Sequence, residues 1–177
     1  MLTCHPATPP FMADSIEVKL ERREDGSLWI RYHLECELNS LDLPDDAEPE
    51  RTEGLWQTTC FELFIKRPES DAYLEYNFSP SGRWAAYRFD GYREGMTELM
   101  TYRPQLGGDS SGGHYALEAE IELPVEWRDG PLLLGLSVVV AEANDTISYW
   151  ALAHPPGKPD FHHRDCFALQ LEAPSAA

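Results

Sequence analysis

The chain is short of cysteine and of positive charge, and it has no long apolar run. Its four cysteines, at 4, 36, 60 and 166, form no CxxC pair, so neither a disulfide framework nor a standard zinc motif is expected. Lysine and arginine number 14 against 31 aspartates and glutamates, a formal charge of −17. That field repels phosphate backbones and anionic headgroups, which excludes nucleic acid and membrane surfaces as expected partners. The longest apolar stretch, LLLGLSVVVA (132–141), is ten residues long, about half of what a membrane-spanning helix needs. It reads as a strand buried on both faces. The opening MLTCHPATPPF lacks the basic start and apolar centre of a signal peptide, so a cytoplasmic location with reduced thiols is expected. Chemistry-bearing motifs are missing too. There is no GxSxG elbow, and the GGDSSGG loop lacks the Lys-Ser/Thr of a phosphate cradle.

Helical periodicity is also absent, and period two runs almost throughout. Leu28, Ile30, Tyr32 and Leu34 alternate with Trp29, Arg31, His33 and Glu35, and Tyr115, Leu117, Ala119 and Ile121 alternate with Ala116, Glu118 and Glu120. Such alternation places apolar residues on one face of a sheet. Turn chemistry at EDGS, SPSG, ANDT and HPPGKPD separates the segments. The expected fold is all-β: nine or ten antiparallel strands in a two-sheet, jelly-roll-like β-sandwich. A single domain over 12–172 is expected, with 1–11 and 173–177 loose, and with 42–54 and 106–113 as exposed loops.

A dense stretch, AYLEYNFSPSGRWAAYRFDGYR (72–93), points to a site. Taking 60–65, 73–78 and 84–90 as consecutive strands, the alternation sends Phe61, Leu63, Ile65, Leu74, Tyr76, Phe78, Ala85, Tyr87 and Phe89 to the core. Glu62, Glu75, Asn77, Trp84 and Arg88 then share the opposite face. An indole platform with two carboxylates, an amide and a guanidinium suits a polar ring compound such as a sugar. A solvated face carrying a cross-strand ion pair explains the same residues equally well. Trp150 and His162 are secondary candidates at the edge of this face.

Three blocks carry a resemblance: TCFELFI (59–65), YLEYNFSPSGRWAAYRFDGYREGM (73–96) and YWALAHPPGKPDFHH (149–163). Together they resemble the bacterial DOMON-like proteins, related to the family-9 carbohydrate-binding modules. The resemblance implies a β-sandwich with a ligand pocket over one sheet, a sugar or haem as ligand in the wider group, and a structural role open to calcium. No position matches a defensible haem-ligand motif, so haem is not expected. No cofactor or metal is assigned. The segment HPPGKPDFHHRDC (154–166) holds His, Asp and Cys side chains in no standard zinc spacing, and it reads as a loop whose His162 faces a ligand.

The resulting expectation is a non-catalytic binder of a sugar or sugar-like metabolite. Two alternatives stand beside it: a glycoside-processing hydrolase using Glu62 and Glu75, and a protein-interaction module. A neighbouring Arg88 would keep both carboxylates ionised, which argues against a general acid.

Overall fold

The period-two segments become the strands of two antiparallel sheets in the computed structural model, which describes residues 1–111 and 113–174. In chain order the strands are β1 (Thr3–Cys4), β2 (Ala13–Arg22), β3 (Leu28–Cys36), β4 (Cys60–Lys66), β5 (Tyr73–Phe78), β6 (Trp84–Phe89), β7 (Thr97–Glu98), β8 (Gln105–Ser111), β9 (His114–Ile121), β10 (Leu132–Ala141), β11 (Ile147–Ala151) and β12 (Leu169–Leu171). The larger sheet runs β1-β11-β10-β4-β5-β6-β7, with β12 also paired to β10. The smaller runs β2-β3-β9-β8. Helix is confined to four single 3₁₀ turns among the described residues. The all-β sandwich expected from periodicity is the observed fold.

The core lies between the sheets. Ile30, Tyr32 and Leu34 of β3 and Leu117 and Ile121 of β9 meet Phe61, Leu63, Leu74, Tyr76 and Leu136 of the larger sheet. Tyr32 donates a hydrogen bond across the sandwich to the backbone oxygen of Glu62, at 2.8 Å, which satisfies a buried hydroxyl. LLLGLSVVVA becomes β10, central in the larger sheet and buried on both faces.

That double burial has a cause. The outward face of the larger sheet carries its own apolar cluster of Phe64, Tyr73, Phe89, Val139 and Ala151, capped by Phe161 and Phe167 from the 152–168 segment. Gly135 permits the closest approach of that cap. A Cβ there would stand 3.1 Å from the carbonyl oxygen of Cys166 and 3.3 Å from Phe64 Cβ.

Two local expectations differ from the structure. Of residues 106–113, read as a loop from their glycines, 106–111 belong to β8, whose side chains are largely exposed, and 112 lies outside the described residues. An edge strand needs only one partner and tolerates glycine, because it packs little. The first eleven residues are not loose either. β1 pairs with β11, Leu2 and His5 are buried, and Glu142 accepts hydrogen bonds from the backbone N–H groups of Phe11, Met12 and Ala13. At the other end, 175–177 lie outside the described residues.

Candidate functional site

The outward face of the larger sheet is the floor of a pocket of about 840 Å³. Glu62 reaches it from β4 and Glu75 from β5, on diagonally neighbouring positions: Glu62 is opposite Asn77, two residues along from Glu75. Both acids are nearly fully buried, at 3% and 6% exposure. Asn77 Nδ2 donates to Glu75 Oε1 at 2.8 Å, and Ser137 Oγ donates to Glu62 Oε2 at 3.4 Å. Among the described residues no hydrogen bond reaches Glu62 Oε1 or Glu75 Oε2.

The walls come from loops. Asp160, Phe161 and His162 close one side, Arg93 and Met96 another, and the 3₁₀ turn Leu55–Gln57 presents Trp56 at the rim. Trp56 is 55% exposed, which is unusual for so large an apolar ring. The turn begins at Gly54, whose φ of 74° suits glycine. Tyr87, Phe89 and Tyr149 line the interior.

Polar contacts fix the walls. Arg93 Nη2 lies 2.8 Å from Asp160 Oδ1, and Tyr92 also donates to Asp160. Arg93 sits in the left-handed region at φ 56°, a conformation that costs a non-glycine residue on the order of 1 kcal/mol. The Asp160 contact and the hydrogen bond from Arg93 N–H to Tyr73 OH, at 3.3 Å, hold it there. Because Tyr73 accepts from Arg93, its own proton is free to go to His162 Nδ1, 2.7 Å away. His162 then carries its proton on Nε2, 3.9 Å from Glu75 Oε2.

The electrostatics follow from burial. Desolvation raises the Glu75 carboxyl to about 7 against the hydrogen bond from Asn77 and the field of Arg93. Desolvation, and then the Glu75 charge beside it, push Glu62 well above the usual carboxyl range. Burial lowers His162 to about 4, and Arg93 adds to this, so its imidazole is neutral at physiological pH. The floor is therefore a pair of acids that retain a proton, with no cation hydrogen-bonded to either among the described residues.

The sequence-predicted residues divide cleanly. Glu62, Glu75, Asn77 and His162 come together on the outward face. Trp84 and Arg88 do not. Trp84 is buried in the core between the sheets, with the Arg51 guanidinium 4.3 Å from its ring centroid, and Arg51 also donates to the backbone oxygens of Ala86 and Leu99. Arg88 lies on that same side, opposite Leu74, at an exposed position. Trp150 is buried in the core too, and its indole N–H donates to Ser148 Oγ at 2.9 Å.

The cause of the difference is parity at the β5–β6 turn. Phe78 pairs with Trp84, so five residues intervene, and Ser79 N–H bonds the Arg83 oxygen. The three-residue loop Pro80-Ser81-Gly82 turns on Gly82 at φ 89°. Even-numbered residues thus face even-numbered ones, which puts Tyr87 and Phe89 beside Glu75 and sends Trp84 inward. Arg88, on the far side of the sheet, does not hold the acids ionised.

Sequence reasoning missed Trp56, Arg93 and Asp160. Trp56 had a signal, a tryptophan inside a polar loop behind a glycine. The His and Cys side chains of 154–166 scatter to separate partners: His154 to the Thr3 oxygen, His162 to Tyr73, and Cys166 to the Asp160 oxygen.

No family model and no curated protein matches the sequence. Solved structures do match in shape. A candidate carbohydrate-binding protein from Bacteroides uniformis aligns with a TM-score of 0.64 at 13% identity, covering 95% of this chain and 81% of that one. A family-9 carbohydrate-binding module from Caldicellulosiruptor kristjanssonii, solved in complex with glucose, aligns with a TM-score of 0.53 at 13% identity, covering 97% of this chain and 83% of that one. The chain has their fold. At such identity the likeness speaks to architecture alone.

Proposed function

We propose that the chain is a non-catalytic binding domain for a sugar or sugar-like metabolite, held in the pocket on the outward face of the larger sheet. One observation carries the reading: two buried carboxyls with unpartnered oxygens form the floor of a pocket whose rim and walls are aromatic. Hydroxyl groups of a ring donate to the carboxyl oxygens, while Trp56 and the tyrosines offer apolar faces to its C–H surface. The glucose-bound module of the same fold supports the choice of ligand class. The kinship to DOMON-like proteins read from the three sequence blocks belongs to the same proposal. So does a location in the cytoplasm, where a small metabolite is the natural target.

Titration calorimetry with glucose, cellobiose and other saccharides, neutral and amino-bearing, tests it. The expected result is saturable binding by at least one of them, weakened tenfold or more in Trp56→Ala. No heat of binding from the whole series overturns the reading.

One observation favours a second reading. A carboxyl that keeps its proton near neutral pH, beside a second carboxyl, is the equipment of a glycosidase. Chromogenic glycosides distinguish the two: turnover abolished in both Glu62→Gln and Glu75→Gln establishes hydrolysis, and silence leaves the binder.

A further inference from the structure

The floor of the pocket carries two carboxyls and, among the described residues, no cation hydrogen-bonded to either. Glu62 Oε1 and Glu75 Oε2 have no hydrogen-bond partner among the described residues, and Asn77 Oδ1 is buried and unpartnered beside them. Ser137 Oγ is committed to Glu62, Asn77 Nδ2 to Glu75 and the Tyr73 hydroxyl to His162, and the neutral Nε2–H of His162, 3.9 Å from Glu75 Oε2, is a donor without charge beside the pair. Arg93, the one Arg or Lys lining the cavity among the described residues, is tied to Asp160. Two further acids, Glu53 and Asp160, line the same space. A neutral hydroxyl offers these oxygens one donor and brings no charge to the pair. An ammonium group brings three donors, no acceptor and the missing charge. Aromatic rings line the same pocket and suit a cation, and a formal chain charge of −17 draws cations toward it.

From this we infer that the ligand carries a protonated amine, seated between Glu62 and Glu75, on the polar ring that the pocket holds. The inference rests on the reading above that the pocket binds a saccharide-like compound, and it narrows the class to amino sugars and related cationic polyols. An incoming ammonium ion takes the place of the proton that the buried acids otherwise keep, so its binding releases a proton to solvent. The titratable and charged groups facing the pair are Cys60 and Tyr73 from β4 and β5, Tyr87 from β6, Tyr149 from β11, and Glu53, Arg93, Asp160 and His162 from the loops. Tyr73 and His162 hold no charge at neutral pH, and burial keeps Cys60 a neutral thiol.

The test is calorimetry of the full chain at pH 7 with a matched series: glucose, its 2-amino and 6-amino derivatives, and N-acetylglucosamine. Runs in two buffers of different ionisation enthalpy count the protons released. The inference expects at least one amino derivative to bind tenfold or more tighter than glucose. It also expects fractional proton release for that ligand and none for glucose or N-acetylglucosamine. The advantage should disappear in Glu75→Gln, whose folding is checked by its melting curve. Equal binding of glucose and both amines overturns the inference and leaves the saccharide reading standing. Binding by none of the four overturns both.

Discussion

Replacing Glu75 by glutamine removes a buried ionisation without removing volume or the oxygen that accepts from Asn77. In the folded chain the carboxyl titrates at about 7 rather than at its ordinary 4.5. A folded-state value raised above the unfolded one means that the native protein binds the proton more tightly. The resulting stability is fully present below pH 4.5 and is lost as pH rises through 7. Each tenfold change in acidity corresponds to about 1.4 kcal/mol, so ionising Glu75 in place costs about 3 kcal/mol by pH 8. Glutamine escapes that cost. For a domain of this size 1 kcal/mol moves the melting temperature by roughly 2–4 °C, so Glu75→Gln should melt roughly 6–12 °C above the parent at pH 8 and alongside it at pH 4.5. His162 does not confuse the comparison. Its value is lowered from 6.5 to about 4, so its contribution is present above pH 6.5, falls away as pH drops toward 4, and is common to both proteins. Scanning calorimetry from pH 4.5 to 9 reads the difference directly. A variant less stable than the parent at pH 8 would mean that the carboxylate is ionised and compensated in place, and the electrostatic account of the pocket floor would be wrong.

Trp84→Ala removes an indole from the core and the platform beneath Arg51, so it should cost about 3–5 kcal/mol by denaturant titration. A near-neutral effect would return Trp84 to the surface. Trp56→Ala should shift the denaturation midpoint by no more than an exposed substitution does, within about 0.5 kcal/mol, because the ring stands clear of the core. Gly135→Ala pushes a methyl against Cys166 and Phe64 and should destabilise by about 1–3 kcal/mol, with faster amide exchange in 160–167; unchanged exchange there would show that this segment does not depend on the close approach.

How much of this was legible in the sequence varied with burial. β3 and β9 have one dry face and one wet face, and their alternation gave both strand and phase. The larger sheet is dry on both sides. In Trp84–Phe89 either phase presents apolar residues, since Trp84 and Ala86 are balanced by Ala85, Tyr87 and Phe89, so hydrophobicity carries no phase information there. Only the loop length settles it, and the SPSG signal marked a turn without fixing the count. Glu62, Glu75 and Asn77 were placed correctly because polar residues inside otherwise apolar strands betray their side. Arg93 and Asp160 meet across 67 positions through loops with no periodicity, so nothing local marked them as partners. His162 was found through its composition-rich segment, and its bond to Tyr73 was not foreseeable without the cap that folds over β5.

The most direct measurement is a crystal structure of the chain grown with whichever saccharide of the matched series binds in calorimetry. The account predicts the ring lying over the outward face of the larger sheet, with donor groups within hydrogen-bonding distance of Glu62 Oε1 and Glu75 Oε2 and a face turned to Trp56. Density for the ligand on the β2-β3-β9-β8 sheet, with the two carboxyls untouched, would contradict it.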